Sequence, residues 1–202
     1  MEEYAVGDDG FRRMAAHESA HALVNAGLGI SVVRLLVVQH THMERLLHAQ
    51  IKPSDRDEAN SHTQPDPAQY RDAPAVTKCL AARAGEVGER LHLGRKDALP
   101  RECWRDDYAS ICEHSKAVFT TLPDKTSRPT LDQFIDALAE AVESWLKRPD
   151  VIPILQSLKD TVIAKRTEIG PNRFKTDLEN ADLKPLLASV PQFPVQSLWE
   201  SL

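Results

Sequence analysis

The sequence lacks the features that mark thiolate metal sites, nucleotide-binding enzymes and membrane proteins. Only three of its 202 residues are cysteines, Cys79, Cys103 and Cys112, and no C-x-x-C pair occurs, so a thiolate zinc site is not expected. No G-x-x-x-x-G-K-[ST] motif is present, so we expect no bound ATP. No apolar run reaches the roughly 18 residues that a membrane-spanning helix needs, so we expect no membrane segment.

An excess of positive charge is absent as well. The chain has 25 lysines and arginines against 30 aspartates and glutamates, and without a dense basic stripe we expect no nucleic-acid partner. The stretch "MEEYAVGDDG" at the start is acidic and lacks the apolar core of a secretion signal. Together with the odd number of cysteines, this favours a reducing compartment, and we expect a cytoplasmic protein.

Helix-forming sequence is what the chain has most of. Composition or apolar periodicity predicts helices over five stretches: 9–28, 75–94, 105–122, 130–148 and 150–169. The β-branched run "ISVVRLLVVQ" (30–39) predicts a strand, and 42–52 is a second strand or a short amphipathic piece. The polar stretch 53–74 predicts a long loop, and the chain from 171 an irregular, proline-broken apolar tail. We therefore expect a mainly α (α+β) fold.

Residues 14–29, "MAAHESAHALVNAGLG", carry an H-E-x-x-H pattern within the first predicted helix. His17 and His21 lie one turn apart on the same face, so both can reach one zinc ion. Glu18 is turned by about 100° from His17 and can instead reach a water molecule on the metal. This pattern is typical of a hydrolytic zinc site with a general base. The plainer alternative is a pair of hydrogen-bonded helix histidines without a metal.

A catalytic zinc site needs a third protein ligand, which this segment does not supply. The longer pattern H-E-x-x-H-x-x-G-x-x-H fails, because Val24 and Gly27 occupy its last two fixed positions. Composition alone leaves several candidates open, namely Glu86, Glu89, Asp106, Asp107 and several histidines. His40 and His42 form another pair that a strand would turn to one side, although an exposed loop start explains them better.

Four stretches resemble the peptidase domain of the FtsH family of ATP-dependent zinc proteases, over about residues 10–170. "AAHESAHALV" resembles the zinc helix of that family, and "LAARAGEVGERLHLG" resembles its second helix. "RDDYASICEHSKAV" resembles the segment that carries the third ligand, and "TLDQFIDALAEAVESWL" resembles part of the helical C-terminal half. The resemblance implies that Asp107 is the third zinc ligand, with Asp106 in the place of a small polar neighbour. It also implies a zincin-type H-E-x-x-H helix with a small β element, followed by a helical half.

The chain departs from that family at several points. "PRECW" replaces the small, glycine-bearing stretch that usually precedes the ligand aspartate, and we expect Trp104 to narrow or reshape the substrate cleft. The segment after the first strand is also much altered. The ATPase module and membrane helices of the family are not in this sequence, so the resemblance implies peptidase chemistry without ATP-driven unfolding.

Taken together, these features predict a zinc-peptidase core at 1–122, a helical C-terminal part of the same domain at 123–170 and a tail at 171–202. His17, His21 and Asp107 would hold Zn²⁺, and Glu18 would be the catalytic base. We expect an ATP-independent zinc metalloendopeptidase that cleaves unfolded or flexible protein segments, aligned along the edge of the strand at 30–39. Iron, cobalt or manganese could occupy the same ligand set.

A second hypothesis is a catalytically silent zinc-binding adaptor. The altered loop and the apolar tail motivate it, since the tail around "VPQFPVQSLW" (190–199) could block the cleft. A separate ATPase partner, or self-association of the domain, is a further alternative.

Two other side chains have open roles at this stage. Glu86 either orients a zinc histidine through its free ring nitrogen or pairs with Arg83 or Arg90 on its own helix. His114 lies about two turns after Asp107 and is a candidate oxyanion group, although an ordinary surface position explains it better.

Overall fold

The computed structural model of the chain describes residues 8–39, 61–122, 128–170, 173–196 and 198. These parts are mostly helical and carry one small antiparallel sheet, which confirms the mainly α (α+β) prediction. In chain order the elements are α1 (Asp8–Gly27), β1 (Val32–Val38), β2 (His62–Pro65), α2 (Pro67–Asp72), α3 (Ala75–His92), a 3₁₀ turn (Arg101–Trp104), α4 (Arg105–Thr121), α5 (Leu131–Leu146), α6 (Ile152–Ala164), β3 (Thr167–Gly170), β4 (Arg173–Glu179) and α7 (Asn180–Leu187). Within these ranges, no helix has the length and apolar character needed to cross a membrane.

Helix α1 is the central element, because its many alanines let neighbouring backbone come close. Where it crosses α3, a Cβ atom built on Gly88 would lie only 2.3 Å from the Cβ of Ala20, so the crossing requires glycine. The helix ends at Gly27, and Gly29 just beyond it takes a φ of 80° that other residues rarely adopt. The H-E-x-x-H segment therefore lies in the interior, with His17 only 7% exposed.

The sheet has the strand order β2-β1-β4-β3, and each neighbouring pair is antiparallel. Leu35 of β1 lies opposite Thr63 of β2 on one side and opposite Leu178 of β4 on the other. The branched side chains of β1 favour a strand and are mostly buried. The sheet packs against α1 and α6 through a cluster that includes Phe11, Leu35 and Leu158.

A second hydrophobic cluster joins α1 to α3, α4 and α5. Phe134, Leu138 and Trp145 of α5 are buried in it. The chain near its C-terminus reaches the same cluster: the ring of Phe193 lies 5.1 Å from the ring of Trp145, and the Phe193 N–H donates to the Gly27 carbonyl at 2.8 Å. Helix α1 is thus stabilised by apolar burial on two sides.

Two stretches that were predicted to be irregular contain regular elements. The predicted loop at 53–74 contains β2 and α2, and Asp66 caps α2 by accepting from the N–H groups of its first turn. The predicted irregular tail from 171 contains β4 and α7, and the predicted helix at 150–169 ends at Ala164, before β3. These strands are short or polar, so their conformation comes from pairing rather than from apolar alternation. The predicted piece at 42–52 lies outside the described residues.

Strand β1 has no free edge. The prediction that the strand at 30–39 offers its edge to a peptide is therefore wrong, because β2 and β4 occupy its two sides. In the described parts of the chain the sheet ends at β2 on one side and at β3 on the other. Of these two, β2 contacts the H-E-x-x-H segment, through Thr63 and Glu18.

Candidate metal centre

Two helices bring three candidate ligand atoms together. His17 and His21 project from the middle of α1, and Asp107 projects from the first turn of α4. The Nε2 atoms of His17 and His21 lie 3.1 Å apart, and Oδ2 of Asp107 lies 3.2 Å from the first and 3.3 Å from the second. The side chains that the motif and the family resemblance single out are therefore neighbours in the fold.

The spacing of these three atoms fits a tetrahedral metal ion. Zinc bonds of about 2.0–2.1 Å at tetrahedral angles place ligand atoms about 3.3–3.4 Å apart. The observed separations of 3.1–3.3 Å are close to this value, so a small expansion of the triangle accommodates an ion. Two nitrogens and one oxygen are a zinc-compatible set that leaves a fourth position for water or substrate. The group could thus hold a metal ion.

No other described histidine, cysteine, aspartate or glutamate joins this group of ligand atoms. The open candidates Glu86, Glu89 and Asp106 therefore supply no ligand; the Asp106 side chain is 91% exposed and pairs with Arg105. His114 is half-buried on α4 and is not in the group either. The pair His40 and His42 lies outside the described residues.

Gly85 of α3 makes room for both imidazoles. A Cβ atom built at this position would lie 2.2 Å from Nε2 of His17 and 2.3 Å from Nε2 of His21, which is too close for any side chain. The sequence analysis did not single out this glycine. The available signal was a pair of glycines three residues apart inside a strongly predicted helix, where glycine is otherwise unfavourable.

The ring of His21 is held in one tautomer by a backbone carbonyl. Its Nδ1 lies 2.7 Å from the carbonyl oxygen of Ala81 on α3, and because that oxygen can only accept, Nδ1 is the protonated nitrogen. In the neutral form of the ring, the lone pair of Nε2 is then directed toward Asp107 and His17. This is the orientation that a metal-binding histidine requires.

The ring of His17 faces a carboxylate on its other side. Its Nδ1 lies 3.4 Å from Oε2 of Glu89, while Oε1 of Glu89 accepts from Nε of Arg13 at 2.9 Å. Glu89 lies one turn after Gly85, so it is on the side of α3 that faces α1. Sequence reasoning kept Glu89 only as a possible ligand and missed this contact.

Glu86 does not contact either histidine of the group. Its Oε2 lies 2.7 Å from a guanidinium nitrogen of Arg83, and its Oε1 accepts from the N–H of Leu99 at 2.8 Å. Of the two roles left open for Glu86, the salt bridge on its own helix is the one that the structure has. The neighbouring Glu89 occupies the position beside His17.

Trp104 lies just before the start of α4, and its burial contradicts the expectation that it narrows a cleft, while the alternative that it reshapes the cleft stays a prediction. The residue is 5% exposed, and its Nε1–H donates to the Leu99 carbonyl at 3.1 Å. The Arg83 guanidinium stacks on the ring at 4.2 Å from its centre. These contacts fix the chain three residues before Asp107.

Phe193 of the C-terminal tail does not pack on the metal group, which is formed by His17, His21 and Asp107. Phe193 packs at Gly27 and Trp145, and Gly27 is ten residues along α1 from His17. At a rise of 1.5 Å per residue this is about 15 Å. The suggestion that residues 190–199 block the site is therefore wrong for Phe193 and stays a prediction for the rest of that stretch.

Glu18 is buried and bound to strand β2. Its side chain is 3% exposed, and the hydroxyl of Thr63 lies 2.9 Å from its Oε2 and 2.8 Å from its main-chain carbonyl oxygen. Since the hydroxyl carries one proton, it donates to one of these oxygens at a time. Thr63 therefore restricts the position of the Glu18 carboxylate. A lone threonine in a polar stretch gave the sequence analysis no signal for this role.

The charges of the group depend on one another. Burial raises the pKa of Asp107, but the two histidines outweigh burial and hold that pKa well below its usual range. Burial lowers the pKa of His17 and of His21, but Asp107, with Glu89 beside His17, outweighs burial and raises both pKa values. Without a metal ion, protons on the imidazoles therefore balance the aspartate. A metal cation supplies the same positive charge and releases those protons when it binds.

Comparisons with known proteins do not assign the chain to a family. No protein-family model matches the sequence, and no curated protein sequence matches it either. The functional argument therefore depends on the geometry of the metal group.

Proposed function

We propose that this chain is a zinc metallopeptidase related to the FtsH peptidase type, and that its cleavage step needs no ATP. His17, His21 and Asp107 are the zinc ligands, and Glu18 is the general base. The observation that carries the proposal is that the three ligand atoms lie 3.1–3.3 Å apart. The buried Glu18 follows His17 directly in the sequence. Bound zinc would lower the pKa of a water molecule and polarise a peptide carbonyl.

The remaining chemistry belongs to side chains of this chain. The Glu18 carboxylate accepts the proton of the attacking water and then delivers it to the leaving amine. The Thr63 hydroxyl holds that carboxylate in place, since it lies 2.9 Å from Oε2. His21 keeps its Nε2 lone pair directed at the ligand group, because its Nδ1 is hydrogen-bonded to the Ala81 carbonyl.

Strand β2 is the candidate docking edge for an extended peptide. It is one of the two outer strands of the described sheet, and it contacts Glu18 through Thr63. An extended segment that pairs along β2 would be aligned by main-chain hydrogen bonds, which do not depend on its sequence. The substrates we propose are therefore unfolded segments, flexible loops and chain termini.

Two pairs of variants test this proposal. Elemental analysis of protein purified without added metal should find about one zinc per chain, and Asp107→Asn should lose it. The matched control is Asp106→Asn, one residue earlier on the same helix turn, which should retain zinc because Asp106 is exposed and outside the group. Absence of zinc from the parent protein, even after incubation with zinc, would refute the proposal.

Glu18→Gln separates catalysis from metal binding. This variant should keep its zinc and lose at least about 100-fold in kcat/KM on a fluorescent unfolded protein substrate, since a general base contributes about 10²–10⁴-fold. The control is Glu140→Gln, an exposed position on α5, which should cleave like the parent.

A zinc-binding adaptor without catalysis is the second candidate, and one observation favours it. His17, Glu18 and His21 are each less than one-tenth exposed, so access of a polypeptide to them is restricted. The side chain of Asp107, 23% exposed, is the most open part of the group. A parent protein that binds one zinc and cleaves no more than Glu18→Gln would establish the adaptor in place of the peptidase.

A further inference from the structure

His17 has a buried ring nitrogen that no hydrogen bond in the described structure satisfies. This atom, Nδ1, points away from the metal group and toward α3. A buried polar atom of this kind costs free energy unless it finds a partner. The nearest carboxylate oxygen, Oε2 of Glu89, is 3.4 Å away, so an approach of about 0.5 Å would make a hydrogen bond.

Glu89 is itself held by a cation from α1. Arg13 donates from Nε and from one terminal nitrogen to Oε1 of Glu89, at 2.9 Å and 2.5 Å. Both contacts use the same carboxylate oxygen, so the other oxygen, Oε2, remains directed at His17. Arg13 and His17 are four residues apart on one face of α1, which places Glu89 between them.

Each of the two histidines has an acceptor group on α3 beside its Nδ1 atom. His21 has the Ala81 carbonyl and His17 has Glu89, with Gly85 midway between these residues along the helix. The helices are therefore antiparallel at the site, and α3 supplies a hydrogen-bond acceptor behind each imidazole. A carbonyl fixes one ring, and an arginine-held carboxylate faces the other.

We propose that Glu89, held by Arg13, is a positioning residue for His17. The proposal rests on the proposed zinc site. When the proton of the His17 ring is on Nδ1 and is donated to Glu89, the lone pair of Nε2 is directed at the metal. The hydrogen bond to the carboxylate also makes Nε2 a stronger ligand. Arg13 holds the Glu89 carboxylate in the required rotamer through two hydrogen bonds to Oε1.

A purely structural salt bridge between Arg13 and Glu89 makes a different prediction. Such a pair would join α1 to α3, and its removal would lower the stability of the metal-free protein without altering the zinc affinity of the folded protein. A positioning role instead lowers the zinc affinity itself, typically about 10–100-fold for an outer partner of a metal ligand.

The experiment measures zinc affinity by competition with a chromophoric chelator. We expect Glu89→Gln to bind zinc 10–100-fold more weakly than the parent, and Arg13→Gln to be weakened less but in the same direction. The matched control is Glu143→Gln, which removes another partly buried arginine–carboxylate contact, 2.7 Å long, between Arg90 and α5. This control should bind zinc like the parent. Urea denaturation of each metal-free protein measures stability separately.

A spectroscopic measurement reports on the ring of His17 directly. In the zinc-loaded parent, the Nδ1 proton of His17 should give a low-field, slowly exchanging imidazole resonance in proton NMR. In Glu89→Gln the resonance should shift upfield or be lost to exchange, because a neutral amide accepts more weakly than a carboxylate.

The outcomes separate this inference from the proposed function. If the parent binds zinc and both Glu89→Gln and Arg13→Gln bind it equally well, the pair is structural and this inference alone is overturned. If the parent binds no zinc, the proposed function and this inference fall together. If Glu89→Gln does not fold, the affinity of Arg13→Gln decides in the same way, since the Arg13 side chain is 17% exposed and easier to replace.

Discussion

Gly85 carries no ligand atom, yet the position of both imidazoles depends on it. A Cβ atom there would lie 2.2–2.3 Å from the two Nε2 atoms, so the histidines or the helix would have to move. We predict that Gly85→Ala lowers zinc affinity by at least about 100-fold, and that overpacking costs about 1–3 kcal/mol of stability. Chelator competition and urea denaturation measure these two effects.

Gly170→Ala is the control for that substitution. A Cβ atom on Gly170 would come no closer than 3.4 Å to the Arg173 side chain, which can adjust, and its backbone does not require glycine. Zinc affinity should be unchanged in this variant. Parent-like zinc binding by Gly85→Ala would mean that the metal does not sit between the two Nε2 atoms.

At the scale of single residues, the sequence predicts those site residues that lie together in one short motif. His17, Glu18 and His21 follow from helical spacing, and Asp107 was chosen by family resemblance alone; the structure brings it beside the two histidines. Glu89 and Thr63 reach the site through the crossing of α3 and the pairing of β2. Those contacts depend on tertiary geometry, which spacing along one element does not specify.

At the scale of elements, strand β2 joins the sheet to Glu18, the proposed general base. Thr63 is the residue that makes this connection, with its hydroxyl within 2.9 Å of both a side-chain and a main-chain oxygen of Glu18. We predict that Thr63→Val lowers kcat about 10–100-fold with little change in zinc content, because the Glu18 carboxylate loses a hydrogen bond of about 1.5–3 kcal/mol. Steady-state kinetics and elemental analysis test this.

The conservative variant Thr63→Ser distinguishes the hydroxyl from the strand. Serine keeps the hydroxyl and should retain most of the parent kcat. If Thr63→Ser and Thr63→Val lose activity equally, the effect comes from β2 itself rather than from its hydrogen bond to Glu18.

Helices and strands that carry many apolar residues were predicted from the sequence, and polar ones were not. Helices α1, α3, α4 and α5 and strand β1 were predicted nearly at their observed ends, because each carries its own buried stripe or apolar run. Strand β2, with the sequence "HTQP", has no such run and exists through its pairing with β1. Strand β4 forms through its pairing with β1. Its alternate residues are polar, so the sequence predicted an irregular tail there.

At the scale of the whole molecule, residues far apart in sequence complete the surroundings of α1. Strand β4 continues the sheet beside β1, and Phe193 closes the cluster of Trp145 at the C-terminal end of α1. This long-range closure could not be predicted from the sequence, because the prolines after 190 suggested only an interrupted apolar segment. Residues 173–196 therefore contribute to the core on both sides of α1.

Phe193→Ala tests whether the C-terminal segment stabilises the fold or regulates the site. Phe193 is 3% exposed and packs on Trp145, so its truncation should lower the free energy of unfolding by about 3–5 kcal/mol. Zinc affinity of the folded protein should stay at the parent value, because the contact lies about 15 Å along α1 from His17. The control Ile169→Ala, at a side chain that is 43% exposed, should change stability by less than about 1 kcal/mol. A Phe193→Ala variant with unchanged stability and increased cleavage would instead identify the segment as an inhibitory cover.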